Sequence, residues 1–309
     1  MIRDFEYFSP KTLKEALTLL DKYGDECKVI AGGQSLLILM RQRLVTPEYL
    51  IDIKGISELN YIESDAREGL RIGALTTHRA IEKSPAMENG FSVLAEMEHG
   101  LASIQTRNWG TIGGNLCHAD PAGDPAPVLI ALKATLSTAS LKGERNMAVE
   151  DFCLDYFETA LEPGELLAEI QVPAVPRHTG TAYTKFNIIE SDMATVGVAV
   201  SITLDADEDM CKDARIVLGA CAPTPMRAKQ AEEVLRGKQM TDSLLKEAGQ
   251  IASQEAEPIS DISASEEYRR ELVKALVKRV GKEAWARAKP PSFPPIGGDE
   301  RGGHGGLVV

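Results

Sequence analysis

Two glycine pairs stand where a chain could wrap an anion. Gly32-Gly33 closes the apolar run Val29-Ile30-Ala31 and leads into Gln34-Ser35-Leu36. Gly113-Gly114 follows Thr111-Ile112 and leads into Asn115-Leu116. Glycine lacks a Cβ, so its backbone turns sharply and can bring N–H groups up to an anion. The small polar residues behind each pair (Gln34, Ser35, Asn115) can reach phosphate or ribose. Two such corners could close on one diphosphate from both sides, which points to a nucleotide cofactor. No G-x-G-x-x-G follows a strand and opens a helix, and no G-x-x-x-x-G-K-[ST] occurs, so neither usual phosphate signature is present. A lone Gly-Gly is as a rule an ordinary turn; the flanking residues set these two apart.

His118 and Cys117 sit beside the second corner. A His or Cys that does chemistry needs an orienting partner, and none is visible, so both read as packing residues. The five cysteines, Cys27, Cys117, Cys153, Cys211 and Cys221, are scattered without a C-x-x-C half-site. They read as buried free thiols of a cytoplasmic protein, and their count and spacing exclude two four-cysteine iron–sulfur sites.

The elements that must position these corners follow from periodicity. The spacing predicts a helix from Ser9-Pro10, with Leu13, Ala16, Leu17 and Leu20 on one face and Gly24 at its end. Strands are expected at 28–31, 49–53 and 70–74, and Thr76 or Thr77 can cap the helix that follows. Residues 91–103 read as a helix, 105–110 as a polar connection, 125–133 as a short apolar helix, and 134–139 and 169–172 as strands. A linker-like segment around Pro173, Pro176, His178 and Gly180 marks a break. Beyond it come β-rich runs at 195–204 and 214–222 joined by an acidic turn at 205–209, then helices at 227–236, 243–256 and 266–289. The expected division is 1–176, 177–288 and a flexible Gly/Pro-rich tail, 289–309.

The chain of 309 residues carries a formal charge of −12 and 5% aromatic residues. That balance argues against nucleic acid or an anionic membrane as partner. No run approaches the roughly 20 apolar residues of a membrane span, and the opening Met1-Ile2-Arg3-Asp4-Phe5-Glu6 has no signal-peptide pattern.

Several blocks then resemble the FAD-binding medium subunit of the molybdenum hydroxylases, the family of xanthine and carbon monoxide dehydrogenases. They are Ala31–Leu36; Arg107-Asn108 with Gly110–Asn115; Ala119-Asp120-Pro121 with Asp124; Pro163–Leu167; Lys185-Phe186 with Asp192-Met193-Ala194; and Gly219 with Ala222–Ala228. The resemblance implies an α+β fold. Its first part would be a bipartite FAD-binding domain of the vanillyl-alcohol-oxidase (PCMH) type, followed by a C-terminal α+β domain with a small antiparallel sheet.

The resemblance also implies roles. Ala31, Gly32, Gly33, Gln34, Ser35 and Leu36 would form the first diphosphate segment, and Thr111, Gly113, Gly114 and Asn115 the second. Asp124 would bind the adenosine or ribityl portion, although an Asx turn before Pro125 also accounts for it. Leu167 would meet the isoalloxazine through its backbone, or simply pack in a strand. Lys185 would stabilise negative charge near the flavin, or stand as an exposed strand lysine. Ile188, Ile189 and Met193 depart from the basic and aromatic residues of many relatives, which leaves the electron acceptor open. No catalytic residue and no metal ligand is assigned. By the same resemblance, a large molybdopterin-binding subunit oxidises the substrate and a small subunit with two 2Fe–2S clusters passes electrons on. The acceptor would be NAD, a quinone or oxygen, and the assembly a dimer of heterotrimers. A stand-alone flavoprotein oxidoreductase is the alternative, and a flavin-free scaffold a further one.

Overall fold

The computed structural model describes residues 2–88, 90–189, 191–205 and 209–289. The expected tail beyond Lys289 and residues 206–208 of the acidic turn lie outside them.

The chain begins with a small parallel sheet in which Tyr49–Asp52 lies between Glu6–Phe8 and Cys27–Ile30. The helix Leu13–Tyr23 covers it, burying Ala16, Leu17 and Leu20 against Ile51 and Ile53. Its cap is Thr12, whose hydroxyl accepts from the Glu15 amide, and not the expected Ser9. Such a cap contributes about 1 kcal/mol. Cys27–Ile30 ends at the first glycine pair, and the short helix Leu36–Arg41 follows at once.

Next comes a five-stranded antiparallel sheet, ordered Ile62–Asp65, Gly69–Gly73, Leu166–Val172, Thr135–Ser140, Gly143–Ala148. Its apolar face, with Leu70, Ile72, Leu136 and Ile170, packs on helices that supply Leu94, Ile112, Leu116 and Leu129. The expected helix at 91–103 is shorter, Ser92–His99. The expected connection at 105–110 is instead the helix Ile104–Trp109, capped by the Ser103 hydroxyl on the Thr106 amide.

The last sheet is antiparallel and four-stranded, in the order Thr179–Phe186, Val196–Leu204, Cys211–Gly219, Met226–Arg227. Helices Lys229–Leu235, Asp242–Glu255 and Glu266–Ala288 cover one face. Its first strand was hidden in the sequence by Gly180 and its threonines, which blur the apolar alternation. The fold is α+β, as expected.

Candidate functional site

The two glycine pairs, some eighty residues apart in sequence, meet in space. A Cβ on Gly32 would lie 2.3 Å from the Trp109 carbonyl oxygen and 2.7 Å from Gly110 Cα, so only glycine allows this approach. A Cβ on Gly114 would lie 3.8 Å from Ala31 Cβ. The strand end at Ile30 and the turn after the Ile104–Trp109 helix therefore form one surface.

The corners differ in what their amides do. Gly33 takes φ +71°, in the left-handed region, and Ser35 is right-handed. Among the described residues, the N–H groups of Gly32, Gly33, Gln34 and Ser35 donate no hydrogen bond. A left-handed glycine within a run of free amides can present them to an anion.

The second pair lies in the first turn of a helix, Ile112–His118, and is not a loop corner. Its amides are engaged: Ile112 with the Thr76 carbonyl, Gly113 with Ala74, Gly114 with the Thr111 hydroxyl and Asn115 with the Thr111 carbonyl. A Cβ on Gly113 would fall 2.6 Å from Ala74 Cβ and from the Ala74 carbonyl oxygen, which gives this glycine a packing reason. The second segment thus presents side chains: half-buried Asn115, and Thr111, whose hydroxyl accepts from Gly114 and keeps its own proton to donate.

Asp124 opens the helix Pro125–Ala131, but its carboxylate makes no cap hydrogen bond. It accepts instead from Tyr183 Oη at 2.6 Å and Lys185 Nζ at 2.7 Å. Both donors lie on the strand Thr179–Phe186. Asp124 is 6% exposed; burial pushes its carboxyl up, against the pull of Lys185 and Tyr183. Burial, reinforced by the Asp124 charge, likewise lifts the Tyr183 phenol well above its ordinary range.

Lys185 is thus not an exposed strand lysine, and Asp124 is not engaged in capping. Sequence reasoning missed Tyr183. The available signal was the two-residue strand period, which puts residues 183 and 185 on one face. Leu167 sits opposite Thr138 on the central strand, with its side chain in the main core. Leu36 packs with Ile30 and Met40 beneath the first corner.

Burial, with a small contribution from Cys153, pushes the Cys117 thiol up to about 12, so at neutral pH it is no thiolate nucleophile. His118 rests against the Phe157 ring, centroids 5.2 Å apart. Ile188, Ile189 and Met193 are exposed beyond Lys185.

Residues 3–175 match the model of the FAD binding domain in molybdopterin dehydrogenase, and residues 181–284 that of the CO dehydrogenase flavoprotein C-terminal domain. The chain is 36% identical to the carbon monoxide dehydrogenase medium chain of Hydrogenophaga pseudoflava, over 92% of this chain and 98% of that one. It is 35% identical to the 6-hydroxypseudooxynicotine dehydrogenase complex subunit alpha of Paenarthrobacter nicotinovorans, over 93% and 96%. The solved carbon monoxide dehydrogenase of H. pseudoflava that lacks the Mo-pyranopterin moiety of its molybdenum cofactor superposes with a TM-score of 0.89, at 36% identity, covering 93% of this chain and 99% of that chain. Fold, glycine segments and full-length similarity agree: the chain belongs to the FAD-binding medium subunits of the molybdenum hydroxylase family of oxidoreductases.

Proposed function

We propose that this chain is the electron-transfer subunit of a multi-subunit molybdenum hydroxylase, receiving electrons from a small subunit with two 2Fe–2S clusters and passing them to an external acceptor such as NAD, a quinone or oxygen. A large molybdopterin-binding subunit would act on the organic substrate, in a dimer of heterotrimers in the cytoplasm. The observation that carries the reading is the meeting of the two glycine segments around a run of uncommitted amides.

In this reading the Gly32–Ser35 amides hold the FAD diphosphate, with Ala31 and Leu36 fixing the segment's ends. Thr111 and Asn115 serve it with a hydroxyl and an amide, Gly32 keeps the two segments close, and Gly113 and Gly114 form the helix turn that carries the second one. Bound FAD would supply a redox centre that holds one or two electrons. A carboxylate offers about four lone-pair positions, and Tyr183 and Lys185 occupy two of those on Asp124. The remainder suit ribityl or ribose hydroxyls. Lys185, held by Asp124, would offer its remaining N–H donors to a reduced flavin, and Leu167 would back the ring through its strand.

The test is an absorption spectrum of the protein purified from its host with its partners attached. Flavin bands together with 2Fe–2S absorption and two co-purifying chains are expected. Flavin with no partner would make the chain a stand-alone oxidoreductase, and a colourless protein would leave only a scaffold.

A further inference from the structure

The buried side-chain atoms without a hydrogen-bond partner, among the described residues, are concentrated behind the second glycine segment. They are His78 Nδ1 and both carboxylate oxygens of Glu98, with Arg269 Nε the one elsewhere. His78 is 3% exposed and Glu98 0%. Nδ1 lies 2.8 Å from Glu98 Oε2, at ion-pair distance without hydrogen-bond geometry. The same histidine is built into the site: its backbone N–H donates to the Gly110 carbonyl at 3.0 Å, and its ring carbon Cδ2 lies 3.0 Å from where a Gly110 Cβ would stand.

Charge bookkeeping leaves this pair one proton. Asp124 is balanced by Lys185 and hydrogen-bonded by Tyr183. Arg107, whose charge also acts on Glu98, is committed to Glu82 and to the carbonyls of Leu101 and Ala102. Glu98 therefore depends on His78. A buried carboxylate left unpaired is too costly to persist, so the pair holds a proton between them, as imidazolium–carboxylate or as imidazole–carboxylic acid. Burial raises the Glu98 carboxyl, against the lowering influence of His78, and Asp124 raises it further.

We propose that His78 and Glu98 form a one-proton positioning pair for the cofactor site, bracing the Gly110–Thr111 turn and linking FAD retention to pH. The proposal rests on the placement of FAD at the two glycine segments. Losing the pair's proton puts one uncompensated negative charge beside Asp124 and behind a site that must accept a diphosphate. FAD binding then requires the proton to return, so affinity falls about tenfold per pH unit once the pair deprotonates.

The test measures FAD dissociation from the full chain, with its co-purifying partners, across the alkaline range in which it stays folded. The wild type should show the falling limb, and Glu98→Gln, neutral at every pH and nearly isosteric, should flatten it. A uniform loss of affinity with an unchanged limb would reduce the pair to a structural role and overturn the proposal. Should Glu98→Gln fail to fold, calorimetry of FAD binding to the wild type in two buffers of different ionisation enthalpy decides. Uptake of about one proton on the alkaline limb supports the pair, and none overturns it. A wild type that binds no FAD at any pH would instead remove the underlying placement of FAD.

Discussion

Gly33 and Gly113 lack a side chain for different reasons, and substitution separates them. At Gly33, φ is +71° and the neighbouring amides are free, so Gly33→Asp brings a carboxylate to the nest at a conformational cost of about 1–2 kcal/mol. Flavin content should fall to near zero while the chain remains folded at ordinary temperature. Full flavin content in this variant would remove the first corner from the diphosphate assignment. Gly113→Ala drives a methyl into Ala74 and should cost about 1–3 kcal/mol of stability, read as a lower urea midpoint. Asp124 and Lys185 form a buried pair, so Lys185→Met leaves a carboxylate without its cation and should cost about 3–5 kcal/mol. Combining it with Asp124→Asn should cost less than the sum of the two single changes. Strict additivity in the urea midpoints would mean that the two side chains do not depend on each other.

The Ile104–Trp109 helix shows what an element can hide. Its residues, Ile-Gln-Thr-Arg-Asn-Trp, carry no apolar period, and only Ser103 signals a start. The helix is held by Arg107, which turns inward to Glu82 at 3.0 Å and to two carbonyls of the preceding turn. Glu82 also meets Arg79, Lys83 and His99. Burial opposes its ionisation, but hydrogen bonds from Arg79 and His99 and the charge of Arg107 prevail, holding the carboxyl down at about 2. A folded-state value below the unfolded one gives stability that is present above about pH 4.5 and is lost as pH falls towards 2. At about 1.4 kcal/mol per pKa unit, up to about 3 kcal/mol rides on this carboxylate. Glu82→Gln should therefore lower the urea midpoint at neutral pH and narrow its gap to wild type near pH 2 to 3. A gap independent of pH would mean that the cations do not select the charged form.

The same contrast explains how far the sequence was legible. Strands with dense apolar residues, such as Val196–Leu204, and the strongly periodic Leu13–Tyr23 helix announce themselves. So did the glycine segments, since a close approach admits nothing larger. Arg107 and Tyr183 act through partners 25 and 59 residues away. No local pattern encodes such contacts. The helical setting of Gly113-Gly114 was equally hidden, because glycine is a poor helix former and only the Thr111 cap and packing on Ala74 fix that turn.

At the scale of the whole molecule, the question is what joins residues 3–175 to residues 181–284. Many ties are ionic and partly exposed: Lys133 with Asp213, Glu150 with Arg215, Arg227 and Lys229, and Arg287 with Glu96. Pairs of that kind are screened by salt and contribute little one by one. Beneath them, Ala199 and Val217 of the last sheet belong to the same apolar core as Leu129 and Ile130. The Ala220 amide donates to the Pro121 carbonyl at 2.8 Å, and Pro127 Cγ would lie 3.0 Å from a Gly219 Cβ. Apolar burial is not screened, and sulfate strengthens it. The two stretches should therefore unfold as one cooperative unit, giving a single calorimetric peak at low salt and in about 1 M NaCl, where the screening length is about 3 Å. Two resolved peaks at high salt alone would transfer the coupling to the ion pairs. The Asp124–Lys185 pair, itself bridging the two stretches, would then be part of that joint.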